Sequence, residues 1–272
     1  MEYIRTYSAK GVLTALGKSL LYLLFFLAVQ FLAGIVYAAI AAAGASLLPG
    51  GVDAESIMAG TETAVLLLTA AAIVLWFRLR HKPLGEAAGL RRCSGWTAAF
   101  CAFCAVDFFV VVQLTLALLP AVWMTDYNDH MELLLSDGLI PALSITVAAP
   151  LAEELMFRGV IQTRLERAMP VWAAVVLQAV LFGVVHGTPI QMAYAFLLGL
   201  AFGFLRSRTG SILPGIAAHA AFNAMNDPLG IFGDAAGSWY ALAVMAAVCA
   251  VGCVFCRRGL ASLAATQNGR ET

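Results

Sequence analysis

Glu153 and Glu154 stand side by side, with Arg158 four residues further on, in a stretch that is otherwise almost wholly apolar. Two histidines lie in equally apolar surroundings: His186 closes the run F-G-V-V-H, and His219 opens H-A-A-F-N, which ends on Asn223. A carboxylate can take a proton from water, an imidazole can share it, and amide or imidazole N–H groups can steady a developing oxyanion. The set therefore holds the parts for general-base hydrolysis of an acyl bond, with Glu153 and His186 on the water and His219 and Asn223 on the oxyanion. The same atoms offer a second chemistry, in which Glu153, His186 and His219 ligate Zn2+ or another divalent ion with water in the open position. Carboxylates at membrane depth are expensive, so a pair of them is a functional site by default.

The surroundings are membrane-like. Hydrophobic residues make up 62% of the 272-residue chain and charged residues 12%, against roughly 45–50% and about 25% in soluble domains. Apolar runs of about 20 residues, rather than ten-residue alternating strands, predict an all-α polytopic bundle in a single integral membrane domain, 1–272. Eight membrane helices are expected over residues 19–47, 62–77, 96–119, 139–158, 171–186, 190–205, 212–225 and 238–255. Turn signals at Pro49-Gly50-Gly51, Lys82-Pro83-Leu84-Gly85, Met169-Pro170, Gly187-Thr188-Pro189 and Thr209-Gly210 separate them. Lys and Arg gather before the first helix and after the second, fourth, sixth and eighth, whereas the acidic 126–137 connection has none. That asymmetry predicts two cytoplasmic termini, a multi-pass protein of the cell membrane, and no cleaved signal segment despite a small-residue site at Ala41 and Ala43. A net charge of zero gives no reason to expect a nucleic-acid partner.

If Met169-Pro170 turns one helix back on the next, Glu153 and His186 each lie about 16 residues, or roughly 24 Å, from that turn and so stand level. His219 and Asn223, about 9 and 13 residues after Gly210, come to roughly 14–20 Å from the same side. Glu154 and Arg158 are spaced to pair on one helix face, while Glu153 is turned away by about 100° and left free. His219 and Asn223 share the i,i+4 spacing and aim at one spot.

At these residues the chain resembles the CAAX protease and bacteriocin-processing (CPBP, or Abi) family of intramembrane endopeptidases. E-E-L-M-F-R, F-G-V-V-H and H-A-A-F-N match the family's E-E-x-x-x-R, F-x-x-x-H and H-x-x-x-N in order. Phe157-Arg158-Gly159 continues the pattern, with Ile161 and Leu165 close to its register. The resemblance covers about residues 139–226, the expected catalytic core. It implies an eight-helix fold with a cytoplasm-facing cavity and cleavage of a membrane-associated, lipidated or prenylated peptide or protein. It also implies Glu153 as the catalytic carboxylate, with Glu154, Arg158, His186, His219 and Asn223 around it. A metal-free reaction is favoured over a zinc one, since Asn223 suits an oxyanion donor and no H-E-x-x-H is present.

Readings from other classes use the same residues. Intramembrane Glu, Arg and His can form an ion or proton path in a transporter, although the inverted repeats that would accompany it are absent. A non-catalytic, peptide-binding bacteriocin immunity protein would keep the site for structure alone. Two C-x-x-C spacings, Cys101 to Cys104 and Cys253 to Cys256, with Cys93 and Cys249 nearby, allow a four-thiolate site, yet helical cysteines are ordinarily small buried hydrophobes. Asp107 is a further intramembrane acid with the option of lining the cavity. His81 and His130 are expected in loops without a role.

Overall fold

A computed structural model describes residues 7–47, 54–83, 85, 88–134, 138–226 and 239–268. These residues form helices and no strand. In chain order the longer helices are α1 (Ala9–Leu47), α2 (Ala54–Leu79), α3 (Gly95–Leu116), α4 (Ala121–Leu134), α5 (Leu139–Leu165), α6 (Val171–Val184), α7 (Pro189–Thr209), α8 (Leu213–Ala224) and α9 (Trp239–Asn268). Five stretches are long and apolar enough to cross a membrane: Ala9–Ile40, Gly60–Leu79, Gly95–Leu116, Leu139–Leu165 and Pro189–Thr209. Val171–Val184 is apolar but shorter.

The helix ends follow local chemistry. The Ser94 side chain accepts from the Trp96 N–H to start α3, and the Thr188 hydroxyl accepts from Gln191 N–H to start α7, with Pro189 in its first turn. Helix α7 ends on Gly210, whose φ of 66° suits glycine, and carries Arg206 and Arg208 in its last turn.

Helix α5 is the axis of the molecule, touching α1, α2, α6, α7 and α8, while α3 packs on α8 and α9 on α3. Its residues Ala152, Phe157, Ile161 and Leu165 are fully buried. By contrast, Leu21, Phe25 and Phe31 of α1 and Leu68 of α2 stand well exposed, the pattern of helices whose outer faces meet lipid. Gly199 brings α7 close to α6, because a Cβ there would lie 2.9 Å from the Ala179 Cα.

Three expectations need correction. The acidic segment expected as a connection is helical as far as Leu134, because Met124, Tyr127 and Met131 give α4 an apolar side among its acids, and His130 rides on that helix rather than in a loop. The fourth expected helix runs past Arg158 to Leu165, since its next residues, Ile161 and Leu165, have a core to enter. The fifth stops at Val184, and His186 stands in the turn beyond it. The turn at Pro49-Gly50-Gly51, Leu84, residues 135–137 and the expected helix start at Ser238 lie outside the described residues.

Candidate active site

The site is built on an irregular helix. Helix α5 changes to π-helical winding over Ser144–Ala148, returns to α over Ala149–Glu154, and is π again over Leu155–Gln162. Such π segments are rare and often mark functional sites. One consequence is direct. In the first π segment the Ala149 N–H reaches back to the Ser144 carbonyl. The next donor in that register would be residue 150, which is proline and has no N–H. The Ile145 carbonyl is thereby released, and the Asn223 side-chain amide of α8 donates to it at 3.0 Å.

Glu154 and Arg158 form the ion pair their spacing predicts, with Arg158 Nη1 donating to Glu154 Oε1 at 2.7 Å and both side chains fully buried. The guanidinium lies over the Phe182 ring, 4.2 Å from its centre, and 5.2 Å from that of Phe202, and its Nη2 points to the Gly199 carbonyl at 3.5 Å. His219 joins from α8, with Nδ1 3.3 Å from the same Glu154 oxygen. The other Glu154 oxygen abuts Gly215, where any Cβ would come within 2.8 Å of it. Glycine is what lets α8 pass a buried carboxylate at this distance.

Glu153 has a different fate. Its side chain is 21% exposed, faces a cavity of about 380 Å³, and stands 3.8 Å from His219 Nε2, too far for a hydrogen bond. Its Oε2 atom is buried without a partner. The cavity is bordered by Glu153, His186, His219 and Asn223, so the structure gathers four of the sequence-derived candidates on one space, with Glu154 and Arg158 immediately behind them. His186 Nδ1 lies 2.6 Å from the Phe182 carbonyl. A carbonyl only accepts, so Nδ1 carries the proton and a neutral ring keeps its Nε2 lone pair free.

By the same argument His219 Nδ1 donates to Glu154, leaving Nε2 toward Glu153. A neutral His219 then has no second N–H to give, which corrects the simple picture of this ring as a donor: it donates from Nε2 only as an imidazolium. Asn223 is likewise half engaged, one of its two amide hydrogens being used on Ile145. As to metal ligands, no group of three or more His, Cys, Asp or Glu side chains among the described residues is placed to hold an ion. The set Glu153, His186 and His219 therefore borders one cavity without closing into a coordination shell.

Several neighbours were not singled out from sequence. Glu62 of α2 enters the same cavity and interacts electrostatically with Glu153. Gln30, Gln191, Tyr194 and His130 also border it, and His130 packs against Gly187 beside His186. Glu62 carried a usable signal, as a carboxylate inside an apolar helix; the glutamines carried none.

Asp107 does not reach the cavity. It faces α9, where the Cys253 thiol is 3.6 Å from its Oδ2 and 3.5 Å from the Cys104 sulfur. All six cysteines are free, and the four-thiolate site does not form.

Residues 135–225 match the family model described as Rce1-like, type II CAAX prenyl endopeptidase. Neither the curated proteins nor the solved structures contain a match to the chain.

Proposed function

We propose that this chain is an intramembrane protease, on the match of residues 135–225 to the Rce1-like, type II CAAX prenyl endopeptidase model, and that Glu153 is its catalytic base. On this reading the enzyme hydrolyses a peptide bond in a membrane-associated, lipidated or prenylated substrate. The observation that carries the proposal is the contrast between two adjacent carboxylates. Glu154 is fully buried and neutralised by Arg158, whereas Glu153 keeps a partnerless oxygen at the cavity.

The chemistry follows from the hydrogens available. Glu153 Oε2 and the free His186 Nε2 are two acceptors bordering one space, and a water between them can point its lone pair at a carbonyl carbon. As its oxygen bonds to that carbon, its proton passes to Glu153, and the carbonyl becomes an oxyanion. Asn223 can meet that charge with its remaining amide hydrogen, and His219 can meet it from Nε2 once protonated. The His219 ring lies between the Glu153 and Glu154 carboxylates. Glu153 then returns its proton to the leaving amine as the C–N bond breaks, which restores the starting state. We assign the catalytic group to Glu153, Glu154, Arg158, His186, His219 and Asn223, with Glu154 and Arg158 positioning the others.

Residues 1–272 form one membrane domain on this reading, with eight membrane helices and both termini cytoplasmic. The basic connections support that orientation, as does the Arg206–Glu166 pair at 2.7 Å that ties the basic ends of α5 and α7 together. On this reading the protein sits in the cell membrane, and its cavity borders His130 and Gly187, in two connections without Lys or Arg.

The test is Glu153→Gln, which keeps shape and removes the base. Purified variant should lose about 100-fold or more of peptidase activity with its melting temperature unchanged. Retention of more than a few per cent of activity refutes the assignment, whereas unchanged biological activity without any peptide cleavage favours the reading as a peptide-binding immunity protein.

A further inference from the structure

The cavity is chemically one-sided. Glu62 and Glu153 bring carboxylates to it, and none of the described residues bordering it is Lys or Arg. The guanidinium nearest them, Arg158, is fully buried and already bound to Glu154 at 2.7 Å. Glu62 has no ion-pair partner among the described residues and feels the charge of Glu153 across the space. Two like charges facing one cavity repel one another, and the arrangement is relieved by anything positive that enters.

A second observation does not involve the carboxylates. Gln191, on the first turn of α7, is only 8% exposed and borders the cavity. Its Oε1 is buried with no hydrogen-bond partner. A buried acceptor left unmade is costly, and it asks the occupant for a donor. The cavity thus presents acceptors from three helices: Glu62 on α2, Glu153 on α5 and Gln191 on α7.

One base is enough for the hydrolysis described above, and Glu62 sits across the cavity on a different helix. Among the described residues, no group of three or more His, Cys, Asp or Glu side chains that includes the two carboxylates is placed to hold a metal. Resting on the protease reading, we infer that Glu62 is a specificity-determining residue that selects a substrate segment bearing a cationic group, an ammonium or guanidinium, near the bond to be cleaved. Gln191 Oε1 adds a neutral acceptor for the same group or for the adjacent backbone N–H. A segment presenting a carboxylate at this position is rejected by both Glu62 and Glu153.

The experiment reads binding, so that it stands apart from catalysis. Full-length protein is reconstituted in phosphatidylcholine vesicles with 20-residue Ala/Leu peptides carrying a benzoylphenylalanine cross-linker beside one test position. Three peptides are acetylated and amidated with Lys, Gln or Glu at that position, and a fourth has an uncharged centre and a free N-terminal amine. The Lys peptide should half-saturate cross-linking at about tenfold lower concentration than the Glu peptide, a difference of about 1.4 kcal/mol. Glu62→Gln should level Lys with Gln, and Glu62→Lys should reverse the order, with elution profile and melting temperature checked for both variants. If the fourth peptide matches the Lys peptide, a terminal ammonium serves as well as a side chain.

An unchanged order in Glu62→Lys, equal binding of the Lys and Glu peptides by the parent, or no saturable labelling by any peptide overturns the inference. Full activity in Glu153→Gln would instead overturn the hydrolysis reading and leave the binding order untouched.

Discussion

Arg158→Ala tests the core of the site most directly. The guanidinium is fully buried, donates to Glu154 at 2.7 Å and lies over the Phe182 ring at 4.2 Å. Truncation leaves the Glu154 carboxylate fully buried, with His219 at 3.3 Å as its one other partner and Gly215 tight against its second oxygen. Breaking a buried pair from one side costs about 3–5 kcal/mol, because the surviving charge is uncompensated. At about 2–4 °C per kcal/mol for a chain of this size, the melting temperature should fall by on the order of 10 °C. Differential scanning fluorimetry in detergent would measure it, beside the double variant Glu154→Gln/Arg158→Met. If the penalty is the stranded charge, the double variant should recover at least half of the loss, since both partners are then neutral and similar in volume. An Arg158→Ala protein that melts within about 2 °C of the parent would refute the burial argument, and a double variant no better than the single would show that the loss is packing rather than charge.

Asn223→Ala should lower kcat by about 100- to 1000-fold with little change in KM, as for other oxyanion donors, measured by steady-state peptide cleavage. Gly215→Ala forces a methyl to within 2.8 Å of Glu154 and should cost about 1–3 kcal/mol of stability by thermal denaturation, with activity falling in step. Purified protein should hold less than one tightly bound divalent ion per chain by elemental analysis and keep its activity through chelation; stoichiometric zinc, with activity lost on chelation and restored by zinc, would make His186 and His219 ligands.

The convergence of the site was legible because its signals are local. Acids, an arginine and two histidines in apolar runs announce themselves by cost alone, and the i,i+4 spacing of Glu154 and Arg158 gives their pairing without any tertiary information. The helix arithmetic brought Glu153 and His186 together although His186 stands in a turn, since two residues beyond a helix end move a side chain by little. The rest was hidden for physical reasons. Nothing in S-I-T-V-A announces π winding. Helix α4 was missed because acids dominate its hydropathy, and its apolar residues matter only once α7 is beside them, as Tyr127 shows by stacking edge-on with Tyr194. The partner of Asp107 could not be read either, because α3 and α9 are far apart in sequence and meet only in the fold.

Proton accounting explains why adjacent glutamates can do different work. Glu154 Oε1 receives both Arg158 and the Nδ1–H of His219, so its charge is spent inside the protein. That bond fixes the ring of His219 with Nε2 toward Glu153, at a separation that no direct hydrogen bond bridges. A proton at Nε2 would make His219 and Glu153 an ion pair alongside Glu154 and Arg158, and the buried group would be neutral as a whole. In the proposed reaction the attacking water gives its proton to Glu153, and an imidazolium at His219 would then face negative charge on the oxyanion. On that reading the Glu154–Arg158 pair serves the reaction indirectly, since without Arg158 the Glu154 carboxylate would compete with the oxyanion for the His219 charge.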